Sequence, residues 1–485
     1  MESVLLTQGS NFSDDLNADK YAAVKVDNFF ISTGSAFVSL LTDIEDDCRI
    51  ILNKFQEIKL NAILPAEEGN FLIHPVYCIA VHRSQLITSS FNDDFQDIEF
   101  ENSLPNYKLS PNILKIILLF SKYKKYDNVV EAVCQIYEKI LPITNKMIGN
   151  PVVVISTPFQ HLSLFNAYSQ GIICNIFGKD DCMFLTDVKL SWHCEGSPVF
   201  SIYGDLLGII MGIFTWSKGE WIGFSLALNL HPIIKSWLKS ISKFCTLPEK
   251  SIFCTNDFDI QSYGIVIVST EHKWGSGILV NRTDGIIITC SHVINFSVDT
   301  REVLVEYKRK SYIAKVIYAT PQDLPFDIAV LKINSRNFEQ VTEFKQPTLA
   351  AQKGEAVYVI AYPLFSFRKN TVKGPSVTYG HVSNVYPNIM IMTSCVTNSG
   401  ASGGALVRPN GELLGVVTNN ISIPSKNLLI PHITAVIPSS VFLEPVNKFC
   451  ITKDLKEFEC LKTLDNNIKC IWQLTQFNKF IKSKL

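Results

Sequence analysis

Through the second half of the chain, apolar positions come in short runs rich in Val, Ile and Tyr, cut apart by Gly, Pro, Asn and Asp. The runs 265–269, 276–280, 285–289, 303–307, 314–318, 328–333 and 356–361 read as strands, as do 377–385, 389–394, 404–407 and 413–417. β-Branched and aromatic side chains suit the pleated surface of a sheet, and the polar turn residues end each run. Many short strands in this rhythm predict an antiparallel barrel or sandwich. The stretch 281–285 (Asn-Arg-Thr-Asp-Gly) and Pro409-Asn410-Gly411 predict hairpin turns, because Asp-Gly and Asn-Gly supply positive φ.

The first half is also rich in strand-like runs, with helices expected at 114–124, 128–140 and 233–244. Pro232 suits the first position of the last of these. The segment 93–101 is expected as an acidic surface loop, and 453–462 as a short helix. An internal repeat links the halves. Residues 196–210 align without gaps to 403–417, with five of 15 positions identical. In this alignment Glu195 falls opposite Ser402, and Cys194 opposite Ala401. Gly34-Ser35-Ala36-Phe37-Val38 resembles Gly275-Ser276-Gly277-Ile278-Leu279. The first half therefore reads as a degenerate second copy of one fold.

A chain of 485 residues is long enough for two or three domains. Residues 1–241 are expected as the first domain, 242–256 as a linker open to cleavage, 257–445 as the second domain, and 446–485 as a tail. With 47% hydrophobic and 18% charged residues the composition is globular. A net charge of −1 gives no electrostatic case for binding nucleic acid or an anionic membrane. The 13 cysteines lack a metal-ligand cadence and read as free thiols of a reducing compartment. No metal and no cofactor are expected.

The first residues lack the basic and apolar regions of a signal peptide. The longest apolar stretch, near 206–216, is too short for the roughly 20 residues a spanning helix needs. Sequons at Asn11, Asn281, Asn295 and Asn420 are accordingly given no weight. Ser483-Lys484-Leu485 reads as a peroxisomal address recognised by an import receptor.

Three local patterns carry chemistry. Thr289-Cys290-Ser291-His292-Val293 follows one strand run, Phe326-Asp327-Ile328-Ala329 opens another, and Asn398-Ser399-Gly400-Ala401-Ser402-Gly403-Gly404 leads into a third. A serine hydroxyl is a poor nucleophile at neutral pH unless an imidazole takes its proton and a carboxylate holds that imidazole. His292, Asp327 and Ser402 supply these groups, as general base, orienting carboxylate and nucleophile, at spacings of 35 and 75 residues. Glycines around the serine allow the sharp turn that aims the amides of Gly400 and Ser402 at an oxyanion. The other readings are blander. Asp323 lies in a polar Pro-Gln-Asp-Leu-Pro loop, Asp284 and Asp299 read as turn residues, and Ser399 as a loop hydroxyl. Cys290 and Cys395 are alternative nucleophiles without a glycine-rich elbow.

Together these motifs, with Gly-Ser-Gly-Ile-Leu-Val at 275–280, resemble the trypsin-like and Deg/HtrA-type serine proteases over residues 257–445. The resemblance implies a mainly β fold: a chymotrypsin-like double β-barrel, here preceded by the degenerate copy with some helices. It implies a serine endopeptidase; with Ser483-Lys484-Leu485, the long first half and no PDZ domain, the likeness of the whole chain extends to cutting leader peptides or internal junctions of imported peroxisomal matrix enzymes and to self-cleavage between the halves. It places Val396 at the base of the specificity pocket and Thr418, Asn419 and Asn420 on the edge that pairs with substrate. Ala401 departs from the acidic or amide residue usual before the nucleophile, so no zymogen-type ion pair forms there. An apolar pocket base argues for a small or medium P1 residue over Lys or Arg. The first half lacks a visible Thr-Cys-Ser-His, so it is expected to be inert. It would position substrate, restrain the cleft or mediate homo-oligomerisation. The competing class is a non-catalytic adaptor or chaperone on a protease fold.

Overall fold

The computed structural model describes residues 2–473 apart from 9–19, 38–39, 41–46, 59, 66–70, 95–114, 121–127, 216–220, 243–259, 272, 295–301, 322–323, 335–337, 339, 364–373 and 424–427. The chain divides into two compact units, Met1–Asn256 and Asp257–Leu485. Nearly all of the expected linker, the rival Asp323, most of the acidic loop and the terminal Ser483-Lys484-Leu485 lie outside the described residues.

The first unit contains two closed six-stranded barrels. One is built from β1 (Glu2–Gln8), β2 (Lys20–Val26), β3 (Phe29–Thr33), β4 (Leu60–Pro65), β5 (Phe71–Arg83) and β6 (Lys115–Phe120), closed in the order 1-2-3-6-5-4. The other is built from β7 (Pro151–Ser156), β8 (Ala167–Phe177), β9 (Met183–Thr186), β10 (Pro198–Ser201), β11 (Leu206–Thr215) and β12 (Trp221–Asn229). Its circular order is the same. Helices Val129–Lys139 and Leu230–Ile241 pack on each other, each burying one apolar face.

The second unit repeats the plan. Its first barrel has β13 (Ile265–Ser269), β14 (Trp274–Asn281), β15 (Ile286–Thr289), β16 (Glu302–Tyr307), β17 (Lys310–Ala319) and β18 (Ala329–Lys332). Its second has β19 (Ala356–Ala361), β20 (Ser376–Tyr386), β21 (Met390–Thr393), β22 (Ala405–Val407), β23 (Leu413–Ile423) and β24 (Leu428–Pro438). Closing a sheet on itself removes exposed strand edges, and inward side chains such as Val359, Ile391, Leu406 and Val436 fill the interior. The β14–β15 turn holds Gly285 at φ +67°, with the Asp284 amide donating to Asn281 Oδ1 at 2.8 Å. The β22–β23 turn holds Gly411 at φ +84°. Both turns were legible in the sequence.

Two expectations fail. The segment 114–124 is not a helix: Lys115–Phe120 is strand β6, between β3 and β5. A central strand covered on both faces is apolar without alternation, so Ile116-Ile117-Leu118-Leu119 carries no period to separate it from a buried helix. Nor does Gly34-Ser35 correspond to Gly275-Ser276. Gly34–Phe37 is a 3₁₀ turn following β3, while Gly275 and Ser276 lie within β14. The expected boundary at 445/446 falls inside the helix Ser439–Thr452, and 453–462 forms a 3₁₀ segment at Leu455–Leu461. No described helix is long and apolar enough to cross a membrane. The 11 described cysteines are free thiols.

Candidate active site

At the end of β15, Thr289 Oγ1 donates to the Ser276 carbonyl at 2.7 Å and fixes where the strand stops. The short helix Ser291–Ile294 follows, anchored by Ser291 Oγ on Thr320 O at 2.6 Å. His292 projects from it. Asp327 lies just ahead of β18, between the buried Phe326 and Ile328. Thr320 clamps this corner: its amide donates to Ile328 O at 2.9 Å and its hydroxyl accepts from Ile328 N at 3.0 Å.

The carboxylate of Asp327 meets His292 twice. One oxygen accepts the His292 backbone amide at 2.9 Å, and the other contacts Nδ1. An Nδ1 proton held by a carboxylate leaves the Nε2 lone pair free to act as a base. The pair is half-buried, with 43% of the His292 and 29% of the Asp327 side chain exposed, so the imidazole remains accessible.

Ser402 sits in the turn between β21 and β22. Gly400 (φ +92°) and Gly403 (φ +87°) flank it, and at both positions an added Cβ would overlap a neighbour. At Gly403 that neighbour is the Ser276 carbonyl, 1.9 Å away, so only glycine fits. Two tight turns shape the loop, Ala401 N to Asn398 O and Gly404 N to Ala401 O, both 2.9 Å. The loop is tied across to β14: Ser276 N donates to Ser402 O at 2.7 Å, and Ser276 Oγ donates to Gly400 O at 2.7 Å while accepting from Tyr362 N at 2.8 Å. Ser402 Oγ donates to Thr418 O at 2.5 Å, and no His292–Ser402 bond occurs among the described hydrogen bonds. The amides of Gly400 and Ser402 donate to no described acceptor.

The remaining expected residues line the same barrel. Val396 is buried, and its carbonyl accepts from Thr378 Oγ1 at 2.8 Å. Thr418 is buried with Oγ1 on Ala435 O at 2.9 Å. Asn419 and Asn420 pair along β23 with Ala435 and Thr434, and their side chains lie outside the described residues. Cys290 and Cys395 are fully buried, so neither thiol can meet a substrate carbonyl. Burial and the Asp327 carboxylate also push the Cys290 thiol well above its usual range, away from thiolate.

The first unit keeps the same turns with other side chains. Ser32 Oγ donates to Ala22 O at 2.6 Å, as Thr289 does to Ser276. Gly196 (φ +86°) donates to Ile210 O at 2.7 Å, as Gly403 does to Val417 O at the same distance. His193 holds φ +64° where the second unit has Gly400. Counting from these matched bonds and the β3–β6 register, Ser35 stands in place of His292, Lys115 in place of Asp327, and Glu195 in place of Ser402. Ser35 Oγ bonds to Thr33 Oγ1 at 2.7 Å, and Lys115 is 0% exposed. Burial pushes the Glu195 carboxyl up to about 7, and its own backbone amide partly offsets this. Sequence reading missed this counterpart, Ser32-Thr33-Gly34-Ser35. Aligning the ends of strands, where Ile31 matches Ile288, would have found it.

The segment 275–416 matches the family model "Trypsin-like peptidase domain". The match lies within the second unit. The chain is 27% identical over 354 residues to "Peroxisomal leader peptide-processing protease" of Homo sapiens, covering 67% of this chain and 60% of that protein. The protein of the same name in Mus musculus is 26% identical over 376 residues, covering 71% of this chain and 64% of its own. "Serine protease Do-like HtrA" of Lactobacillus helveticus is 29% identical over 181 residues, or 36% of this chain and 42% of its own. The chain thus spans less than two thirds of the length of the first two curated relatives.

Proposed function

We propose that the protein is a peroxisomal serine endopeptidase that removes leader peptides from imported matrix enzymes or cuts them at internal junctions. The observation that carries this reading is the His292–Asp327 pair beside a serine held in a double-glycine turn. In the proposed reaction Ser402 Oγ leaves Thr418 O, passes its proton to His292 Nε2 and attacks the scissile carbonyl. Asp327 stabilises the imidazolium that forms, and the Gly400 and Ser402 amides receive the oxyanion. The imidazolium then protonates the leaving amine, leaving an acyl-enzyme. Water, deprotonated by the same imidazole, releases the second product and restores the Ser402 hydroxyl.

Val396 at the pocket base favours a small or medium P1 residue. Thr418, Asn419 and Asn420 offer strand β23 as the edge for an extended substrate. Residues 1–241 serve as a non-catalytic copy, because Glu195, Ser35 and Lys115 replace nucleophile, base and carboxylate. Self-cleavage in the 242–256 region and recognition of Ser483-Lys484-Leu485 by an import receptor complete the proposal. Peroxisomal location is supported by the names of the two mammalian relatives. The engagement of Ser402 Oγ with Thr418 O favours a second reading, a protease-like adaptor that cuts nothing.

Purified wild type and Ser402→Ala are incubated with a peroxisomal precursor that carries its leader, and precursor and enzyme are both followed by mass spectrometry. Cleavage by wild type alone supports the endopeptidase and gives the P1 residue. Identical spectra for both enzymes would sink it in favour of the adaptor.

A further inference from the structure

The reaction above leaves one buried group beside the His292–Asp327 pair without a role, the thiol of Cys290. It follows β15 directly and is 0% exposed. Its Sγ, a ring nitrogen of His292 and a carboxylate oxygen of Asp327 lie within 4.8 Å of one another. The same Sγ donates to Val417 O at 3.2 Å, the carbonyl that also accepts the Gly403 amide at 2.7 Å. Val417 precedes Thr418, whose carbonyl holds Ser402 Oγ. A single side chain therefore lies within 4.8 Å of the Asp327 carboxylate and bonds the strand under Ser402, at the seam between the two barrels of this unit. Thr418 Oγ1 is turned to Ala435 O. Lys273 Nζ bonds the His292 carbonyl at 3.3 Å.

We propose that Cys290 is a positioning residue for the triad, its S–H shared between the Asp327 carboxylate and the Val417 carbonyl. This role rests on the serine-protease reading. On its buried side the half-buried Asp327 carboxylate needs donors for its lone pairs, and the two from His292 leave some unfilled. While His292 is neutral, the thiol proton compensates Asp327. Once the imidazolium forms, the carboxylate has a full counter-charge and the thiol proton returns to Val417 O. The buried thiol is thus a donor, in keeping with its distance from thiolate.

The test uses the full chain and a fluorophosphonate probe, with peptide mass spectrometry to place the label on Ser402. Saturation kinetics separate probe binding from the phosphonylation rate. Cys290→Ala is expected to slow phosphonylation about tenfold to a hundredfold with probe binding unchanged, the loss of one hydrogen bond to a charged group. Without the thiol donor more of the Asp327 charge faces His292, so the acid limb of the rate profile moves up by about half a pH unit. Cys290→Ser keeps a donor and is expected to restore both rate and limb.

An alanine variant with wild-type rate and limb would overturn the role. So would a serine variant no better than alanine, or loss of the folded state in both, which would make the thiol a packing element. Absence of labelling in wild type, matching a Ser402→Ala control, is a different failure: it removes the serine-protease reading and this inference with it.

Discussion

The Gly403 turn of the second unit and the Gly196 turn of the first share their φ angles and their donor–acceptor pairs, yet present different side chains at the three positions that matter. One set is His292, Asp327 and Ser402; the other is Ser35, Lys115 and Glu195. The backbone that presents a side chain at this turn is therefore separable from the side chain it presents. The turn is held by strand ends and by glycines that tolerate positive φ, and none of those contacts needs chemistry. Barrel closure keeps the turn in place in both copies, whatever side chain it displays.

The comparison is broken most forcefully at its centre. Ser402→Ala is expected to cut proteolysis and fluorophosphonate labelling by about 10⁴-fold or more, while Glu195→Ala leaves both at wild-type level. Equal losses in the two variants, measured as initial rates, would show that the first unit shares the work. Next come the glycines. Gly403→Ala and Gly196→Ala each force a Cβ onto a carbonyl oxygen, 1.9 Å and 2.1 Å away, in a left-handed conformation. Each is expected to destabilise its own unit by about 3 kcal/mol or more, and only the Gly403 variant should lose labelling directly. Denaturant melts read beside labelling would separate the two effects.

The smallest expected effect concerns Glu195. Its carboxyl ionises near 7 in the folded chain against 4.5 for the ordinary side chain. Between those values the unfolded chain has already lost the proton that the folded chain still holds. Stability therefore falls as pH rises through this window and stays lower above it. Glu195→Gln should melt about 2–4 °C higher than wild type near pH 8 and match it near pH 4, a figure kept small because the side chain is only partly buried. A pH-independent difference between the two melting curves would show that ionisation is not the cause.

Much of this architecture was legible in the sequence, for a physical reason. Strands such as Ile265–Ser269 and Ala356–Ala361 are bounded by turn residues whose backbone demands are local. The three motif positions stood out because a nucleophile turn needs glycines at fixed offsets. What failed to show was non-local. Lys115–Phe120 reads as a strand only once β3 and β5 pair with its two edges. The place of Ser35 follows from matching the strand ends at Ser32 and Thr289, and that of Lys115 from the β3–β6 register; Gly-Ser alone does not distinguish a strand from a turn. Cys290 read as a rival nucleophile until its burial, its bond to Val417 O and its nearness to Asp327 were in view.

The hydroxyl of Ser276 bridges Gly400 and Tyr362, joining residues 124 and 86 positions apart in the chain. Such contacts close late in folding, because the entropy of a long loop must be lost before they form. A growing chain that has made β14 but not the 400–404 turn has a histidine and an aspartate in place and nothing for them to activate. On the proposed function, competence thus arrives with the closing of the final barrel, and hydrolysis would be a clock that starts only when synthesis of the unit has finished.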